Sequence, residues 1–250
     1  MNLPTTPDDY APYLQELGRA NLPYFIEGGQ AVNALAEFFL EDEPALRRFQ
    51  PYTSKDCDIW VGKETLDRIE DVLSGELHRA ADPAEVQLGV FCFHGQPHKL
   101  DLFGHVHGLT LSELAKVGRR VLSFDGVRVM DPLYLFKAKC HNLVELGQRG
   151  RQDRRHVEML QLIVPAYFRH LIQQCQGKEL PQRAVIKDIK LFRGFARDVV
   201  VRRALTELGT GLDNMVPVIA LERSRLSTLA AFAQGEWGAR PKPEPGASEG

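Results

Sequence analysis

The sequence predicts an α+β protein in which strands and helices mix in the first half and helices alone make up the second. The character of the sequence changes near residue 130: the short β-branched and aromatic runs predicted as strands lie before it, and helical patterns follow it. Residues 1–125 hold 11 Lys and Arg against 20 Asp and Glu, whereas residues 126–250 hold 20 against 13. This asymmetry indicates that carboxylate chemistry and an anionic partner belong to different parts of the chain.

The predicted elements follow one another with short connections. In the first half they are a helix over 10–20 capped by Asp8 or Asp9, a strand over 22–26, a helix over 30–40, a strand over 57–61, a helix over 63–77, a hairpin of strands over 86–93 and 99–106, and a second hairpin over 121–129 turning at Asp125 and Gly126. In the second half they are helices over 132–146, 152–163, 166–175, 186–208 and 216–234, the first capped by Asp131 and followed by a polar break at 147–150.

These elements predict a core over residues 1–129, a helical domain over 130–237 and a disordered tail over 238–250, which is rich in Pro, Gly and Glu. Hydrophobic residues make up 44% and charged residues 26%, as is ordinary for a globular protein. The four cysteines are scattered without a C-x-x-C pair, so we expect free thiols. A leader-like N-terminus and an apolar run of roughly 20 residues are both missing, and we expect a cytoplasmic protein without membrane contact.

The segment TSKDCDIWV at residues 53–61 holds Asp56 and Asp58 in a strand-like run. Side chains alternate along a strand, so the two carboxylates project from one face, close enough to share a divalent cation. Like charges side by side resist burial and indicate that a positive group lies between them. A solvated pair at a sheet edge is the alternative, because Asp-x-Asp is common on surfaces.

Two further features bear on this choice. Gly28 and Gly29 lie between a strand and a helix, where free backbone amides suit a phosphate, although a simple tight turn also explains them. Asp101 lies inside a strand between Leu100 and Leu102, and a carboxylate in such apolar company is hard to explain as a solvated residue.

Together, the segments FIEGGQAVNAL, TSKDCDIWV and HKLDLFGHV resemble the nucleotidyltransferase superfamily of the polymerase-beta type. The pattern of that family is a strand ending in Gly-Gly or Gly-Ser, then Asp-x-Asp, then a separate Asp. Ser54, Lys137, Lys139 and the segment RQDRRH resemble motifs of its abortive-infection type bacterial toxins. The resemblance implies a small mixed β-sheet flanked by helices, followed by an α-helical domain.

The resemblance also implies a reaction and a set of site residues. An acceptor attacks the α-phosphorus of an NTP, with Asp56 and Asp58 on metals that hold the triphosphate and Asp101 on the metal that activates the acceptor. Mg²⁺ is the expected ion, and Mn²⁺ fits equally by ligand type. The residues implied in nucleotide or acceptor contacts are Gly28, Gly29, Ser54, Lys55, Lys137, Lys139 and Arg155. The acceptor is left open among RNA such as tRNA, protein and small molecules, and a toxin role implies an antitoxin partner.

Several alternatives stay open. The chain could be a catalytically silent nucleotide-binding or protein-interaction module of the same fold, or an RNA-binding protein that uses the basic stretch over 187–203. Lys137 and Lys139 cannot share a helical face, so at most one is expected to point at the site. His105 and His107 have the same strand parity as Asp101, so a histidine metal site is conceivable there, although Gly104 and Gly108 are expected to bend the strand.

Overall fold

A seven-stranded mixed sheet lies at the centre of the computed structural model, which describes residues 4–82, 86–146 and 152–237. Its strands are β1 (Tyr24–Ile26), β2 (Cys57–Val61), β3 (Gly75–Arg79), β4 (Gln87–Phe93), β5 (Lys99–Phe103), β6 (Leu122–Phe124) and β7 (Val127–Val129). They lie in the order β3-β4-β5-β2-β1-β7-β6. The pairs β2/β5 and β1/β7 are parallel and the other neighbours are antiparallel.

The helices flank this sheet and then continue alone. Those of the first half are α1 (Ala11–Arg19), α2 (Gly28–Phe38), α3 (Lys63–Val72) and α4 (Leu111–Val117), with a 3₁₀ helix at Pro44–Phe49. Those of the second half are α5 (Pro132–Glu145), α6 (Asp153–Gln176), α7 (Gln182–Gly194), α8 (Val199–Glu207), α9 (Val218–Arg223) and α10 (Ser227–Trp237). The α+β class is thereby confirmed. Among the residues that the structure describes, every helix is too short or too polar to cross a lipid bilayer.

Several local predictions are confirmed. The strand over 57–61 is β2 with the predicted bounds, and both hairpins form as β4/β5 and β6/β7. Asp125 and Gly126 turn the second hairpin with φ of 48° and 85°, as a two-residue turn of this hand requires. Asp131 Oδ1 accepts hydrogen bonds from the backbone N–H groups of Leu133 (2.9 Å) and Tyr134 (3.3 Å), so it caps α5 as predicted.

Three departures from prediction in the first half concern α1, α3 and α4. The helix predicted over 63–77 ends at Val72, because Leu77 instead pairs with Phe91 as part of the edge strand β3. The predicted cap of the first helix is wrong, since α1 begins after Tyr10 and the Asp9 carboxylate accepts from the backbone N–H of Thr6 at 2.7 Å. Helix α4 was not predicted, although Thr110 and Glu113 form a capping box at its start.

In the second half, the boundaries between helices differ from those predicted. The helices predicted over 152–163 and 166–175 are one helix, α6, in which Pro165 is tolerated between two buried neighbours. The helix predicted over 186–208 is broken at Asp198, which caps α8 by accepting from the N–H of Val200 at 2.9 Å. The helix predicted over 216–234 is divided into α9 and α10. The polar break at 147–150 and the tail at 238–250 lie outside the described residues.

The two halves meet where the candidate site lies. Helix α2 packs against both α5 and α6, so side chains from the helical half can reach the N-terminus of α2. The division into a core over 1–129 and a helical domain over 130–237 stays a prediction.

Candidate functional site

The three predicted aspartates come together on one face of the sheet. Strands β2 and β5 are parallel neighbours, and their register places Asp58 directly beside Asp101. Asp56 directly precedes β2. One carboxylate oxygen of each residue lies within 4.8 Å of the others. Because hard divalent cations bind clustered carboxylate oxygens, this cluster could hold such an ion.

A lysine ammonium group already balances part of this negative charge. Lys99 Nζ lies 2.9 Å from Asp101 Oδ1 and 3.0 Å from Oδ2, and Gln87 Nε2 donates to Oδ1 at 3.1 Å. Burial alone would lower the pKa of Lys99, but the hydrogen bond and the three aspartate charges raise it. Asp101 itself is only 5% exposed. The donor set therefore attracts cations, and it is all oxygen, which fits Mg²⁺ or Mn²⁺.

Glu27 adds a fourth carboxyl group that was not predicted. It directly precedes α2, and its backbone N–H donates to the Asp58 carbonyl oxygen at 2.9 Å. Its side chain is buried, and within the described chain its Oε1 has no hydrogen-bond partner. Burial first, and then the Asp58 charge, raise the pKa of Glu27 well above its usual range, while Lys139 opposes the shift. The sequence feature that could have identified Glu27 as a site residue is its position immediately before the glycine pair.

The glycine pair is the first turn of α2 rather than a turn ahead of it. Gly28 has a φ of +66°, and a Cβ atom there would overlap the Asp58 carboxylate. A Cβ atom on Gly29 would lie 2.8 Å from Ser54 Oγ and 3.1 Å from His156 Cε1. The two glycines therefore leave room at the start of α2 for neighbouring side chains: Asp58 beside Gly28, and Ser54 and His156 beside Gly29.

The basic residues that the resemblance implies do not share one location. Lys139 is buried 3.2 Å from Asp153 Oδ1, and its charge reaches Glu27. Lys137 Nζ lies 2.8 Å from Glu113 Oε1 and 3.5 Å from Asp198 Oδ2. The two lysines thus have different partners.

The remaining two basic candidates are Lys55, which follows Ser54 in the chain, and Arg155 on α6. Lys55 is exposed. Arg155 donates to the carbonyl oxygens of Phe49 and Pro51, and the second of these bonds is 3.0 Å long. Arg155 therefore holds the segment that leads from the 3₁₀ helix into Ser54.

Comparisons with known proteins give a distant structural likeness. Neither a protein-family model nor a curated protein matches the chain. The crystal structure of an antigenic nucleotidyltransferase-like protein from Paracoccidioides brasiliensis is similar at 13% sequence identity and a TM-score of 0.42, over 92% of this chain and 95% of that one.

Proposed function

We propose that the protein is a metal-dependent nucleotidyltransferase that moves an NMP from an NTP to an acceptor. The observation that carries this proposal is the register that sets Asp58 beside Asp101 on parallel strands, with Asp56 in reach of both. The acceptor oxygen forms a bond to the α-phosphorus, and the bond from that phosphorus to pyrophosphate breaks. Such a transfer requires alignment and charge neutralisation more than covalent help from the protein.

Each carboxylate has a role in this proposal. Asp56 and Asp58 would hold metal ions on the nucleotide side, and Asp101 would hold the metal ion on the acceptor side and receive the proton of the acceptor. Mg²⁺ or Mn²⁺ bound there would neutralise the charge that develops on the triphosphate. The amides at the start of α2 suit phosphate oxygens, and Ser54 lies beside Gly29 to donate to them.

The acceptor is proposed at the level of class only: RNA such as tRNA, a protein hydroxyl group or a small molecule. The resemblance to abortive-infection toxins supports a toxin of a toxin–antitoxin or phage-defence system, acting in the cytoplasm with an antitoxin partner. A function as a pure RNA-binding protein has less support, because Arg193 in the basic stretch pairs with Asp213 at 3.1 Å and Arg203 pairs with Glu207 at 3.5 Å.

The test is transfer of label from each of the four α-labelled NTPs to total RNA, protein and small-molecule pools, with Mg²⁺ or with Mn²⁺. Asp58→Asn is expected to lower transfer by about 100-fold or more, since a lost metal ligand removes several kcal/mol of transition-state stabilisation. Asp71→Asn is the matched control, because Asp71 is exposed on α3. Transfer that is equal in Asp58→Asn and the wild type would refute the proposal.

A catalytically silent nucleotide-binding module is the second candidate, and the ion pair of Lys99 with Asp101 favours it. If Lys99 permanently takes the place of the metal ion, NTP binds without transfer and without any dependence on Mg²⁺. Lys99→Met separates the two functions, with Lys63→Met on α3 as the exposed control. In an active enzyme Lys99 yields to the ion, so Lys99→Met is expected to tighten Mn²⁺ binding by about tenfold. In a silent module, the wild type and Lys63→Met are expected to show no measurable Mn²⁺ binding, and only Lys99→Met is expected to bind the ion.

A further inference from the structure

A second cluster of metal-ligating side chains lies apart from the aspartates. His107 lies in the segment after β5, and His141 and Glu145 lie one turn apart on α5. One ligand atom from each of these three residues lies within 4.8 Å of the others. The proposed nucleotidyl transfer makes no use of this cluster.

The contacts converge on one oxygen atom. Glu145 Oε2 lies 2.9 Å from His107 Nε2 and 3.0 Å from His141 Nδ1. An unprotonated imidazole nitrogen and a carboxylate oxygen are both acceptors, so each contact requires a proton or a cation between the two atoms. Ligands of tetrahedral Zn²⁺, at about 2.0–2.2 Å from the metal, lie roughly 3.3 Å from one another. The observed separations are those of N–H···O hydrogen bonds, and a widening of about 0.3–0.4 Å would bring them to the spacing of Zn²⁺ ligands.

The second nitrogen of His141 has a fixed partner. His141 Nε2 lies 3.1 Å from Asp198 Oδ2, and Asp198 is held in place because it caps α8. A carboxylate that accepts from one ring nitrogen leaves the other free to bind a metal ion, as is usual for metal-bound histidines. His141 is thus oriented with Nδ1 toward Glu145.

The backbone around His107 is built for a close approach. Gly108 has a φ of +80°, and a Cβ atom there would lie 2.5 Å from both Cβ and Cγ of His141. Only glycine lets the segment after β5 pass this close to α5 and bring His107 to the cluster.

We propose that His107 Nε2, His141 Nδ1 and the Glu145 carboxylate form a Zn²⁺ site. Imidazole nitrogens suit Zn²⁺, whereas the all-oxygen aspartate cluster suits Mg²⁺ or Mn²⁺. The side chains of His107 and Glu145 are 43% and 40% exposed, so the ion has an entry path and a fourth position open to solvent. The site would join the segment that leaves β5 after Asp101 to α5, and it stands independently of the proposed transfer reaction.

The experiment is a calorimetric titration of the metal-stripped full chain with ZnCl₂ in excess Mg²⁺, which competes with Zn²⁺ for the all-oxygen aspartate cluster. His107→Ala and Glu145→Gln are each expected to weaken Zn²⁺ binding by at least the roughly 10–100-fold that changes in the outer shell of a metal site cause. Both side chains are partly exposed, so both variants are expected to fold, which circular dichroism checks. His78→Ala is the matched control, because His78 is 56% exposed and lies 3.8 Å from a carboxylate of its own, Glu76.

Thermal unfolding gives an independent readout. Free Zn²⁺ at about 100 times its Kd is expected to raise the Tm of the wild type by roughly 5–10 °C, and this rise is expected to disappear in His107→Ala and Glu145→Gln. Equal Zn²⁺ affinity in the wild type and these two variants would overturn the site. So would Zn²⁺ binding that Asp58→Asn removes and His107→Ala leaves intact, because the ion would then belong to the aspartates.

Discussion

At the scale of single residues, the aspartate cluster depends on the missing side chain of Gly28. The Asp58 carboxylate occupies the space in which a side chain on Gly28 would lie. Asp101 is matched by the Lys99 ammonium, two residues earlier on the same face of β5. Gly28 therefore positions a candidate metal ligand, besides any contact that it makes with a nucleotide.

Gly28→Ala is expected to lower the free energy of unfolding by roughly 1–3 kcal/mol, because alanine is strained at a φ of +66° and its methyl group displaces Asp58. Urea denaturation measures this change, and Mn²⁺ binding is expected to weaken in parallel. Gly211→Ala is the control, since a Cβ atom there meets nothing within 4 Å. If Gly28→Ala bound Mn²⁺ like the wild type, the role of Gly28 in positioning Asp58 would be wrong.

At the scale of elements, an ion pair anchors α4, the helix that was not predicted. Glu113 caps α4 and also pairs with Lys137 of α5 at 2.8 Å. Burial alone would raise the pKa of Glu113, but the hydrogen bonds from Lys137 and from the Thr110 backbone lower it. Lys137, which the family resemblance implies in nucleotide or acceptor contacts, thus holds α5 against α4 through Glu113.

Glu113→Gln is expected to destabilise the protein by about 1–2 kcal/mol at neutral pH, since glutamine keeps the cap but loses the charge. A carboxyl group whose pKa is lowered by folding contributes stability above its unfolded pKa and loses it as the pH falls through its folded pKa. The difference between wild type and variant should therefore shrink as the pH falls from 6 toward 3. Urea denaturation at each pH measures it, and a difference independent of pH would show that the charge of Glu113 is not involved.

At the scale of the whole molecule, a partly buried ion network joins the end of the sheet-bearing half to the helices. Arg120, just after α4, lies 2.8 Å from Asp131 at the start of α5 and 2.6 Å from Asp188 on α7. The Asp131 side chain is fully buried, and Tyr167 of α6 also donates to it at 3.3 Å. One guanidinium group thus connects α5 and α7.

Arg120→Met is expected to destabilise the protein by roughly 3–5 kcal/mol, because it leaves the buried Asp131 carboxylate without its cation. Urea denaturation checks this, with Arg119→Met as the control, because Arg119 is exposed beside it. The double variant Arg120→Met with Asp131→Asn should recover part of the loss, since it removes the unpaired charge. If Arg120→Met lowered the free energy of unfolding by less than about 1 kcal/mol, the Arg120–Asp131 pair would contribute no more than an ordinary surface ion pair.

Features set by neighbours in the chain could be predicted from the sequence. The α+β class, the bounds of β2, the turn at Asp125 and Gly126 and the cap at Asp131 depend on periodicity, turn geometry and local hydrogen bonds. The three aspartates could be named for the same reason, because strand alternation and an apolar setting are visible in the sequence. Their common location followed only from family resemblance.

Only the tertiary structure decided which distant segments meet. Leu77 lies on a strand because Phe91 pairs with it, and Asp58 lies beside Asp101 because β2 and β5 run parallel in one register. Glu27 lies next to the glycine pair in the sequence, but only the fold buries it beside Asp58. The cluster of His107, His141 and Glu145 likewise exists only because the segment after β5 passes close to α5. The physical reason is that burial and charge pairing depend on residues far apart in the chain, which no local pattern records.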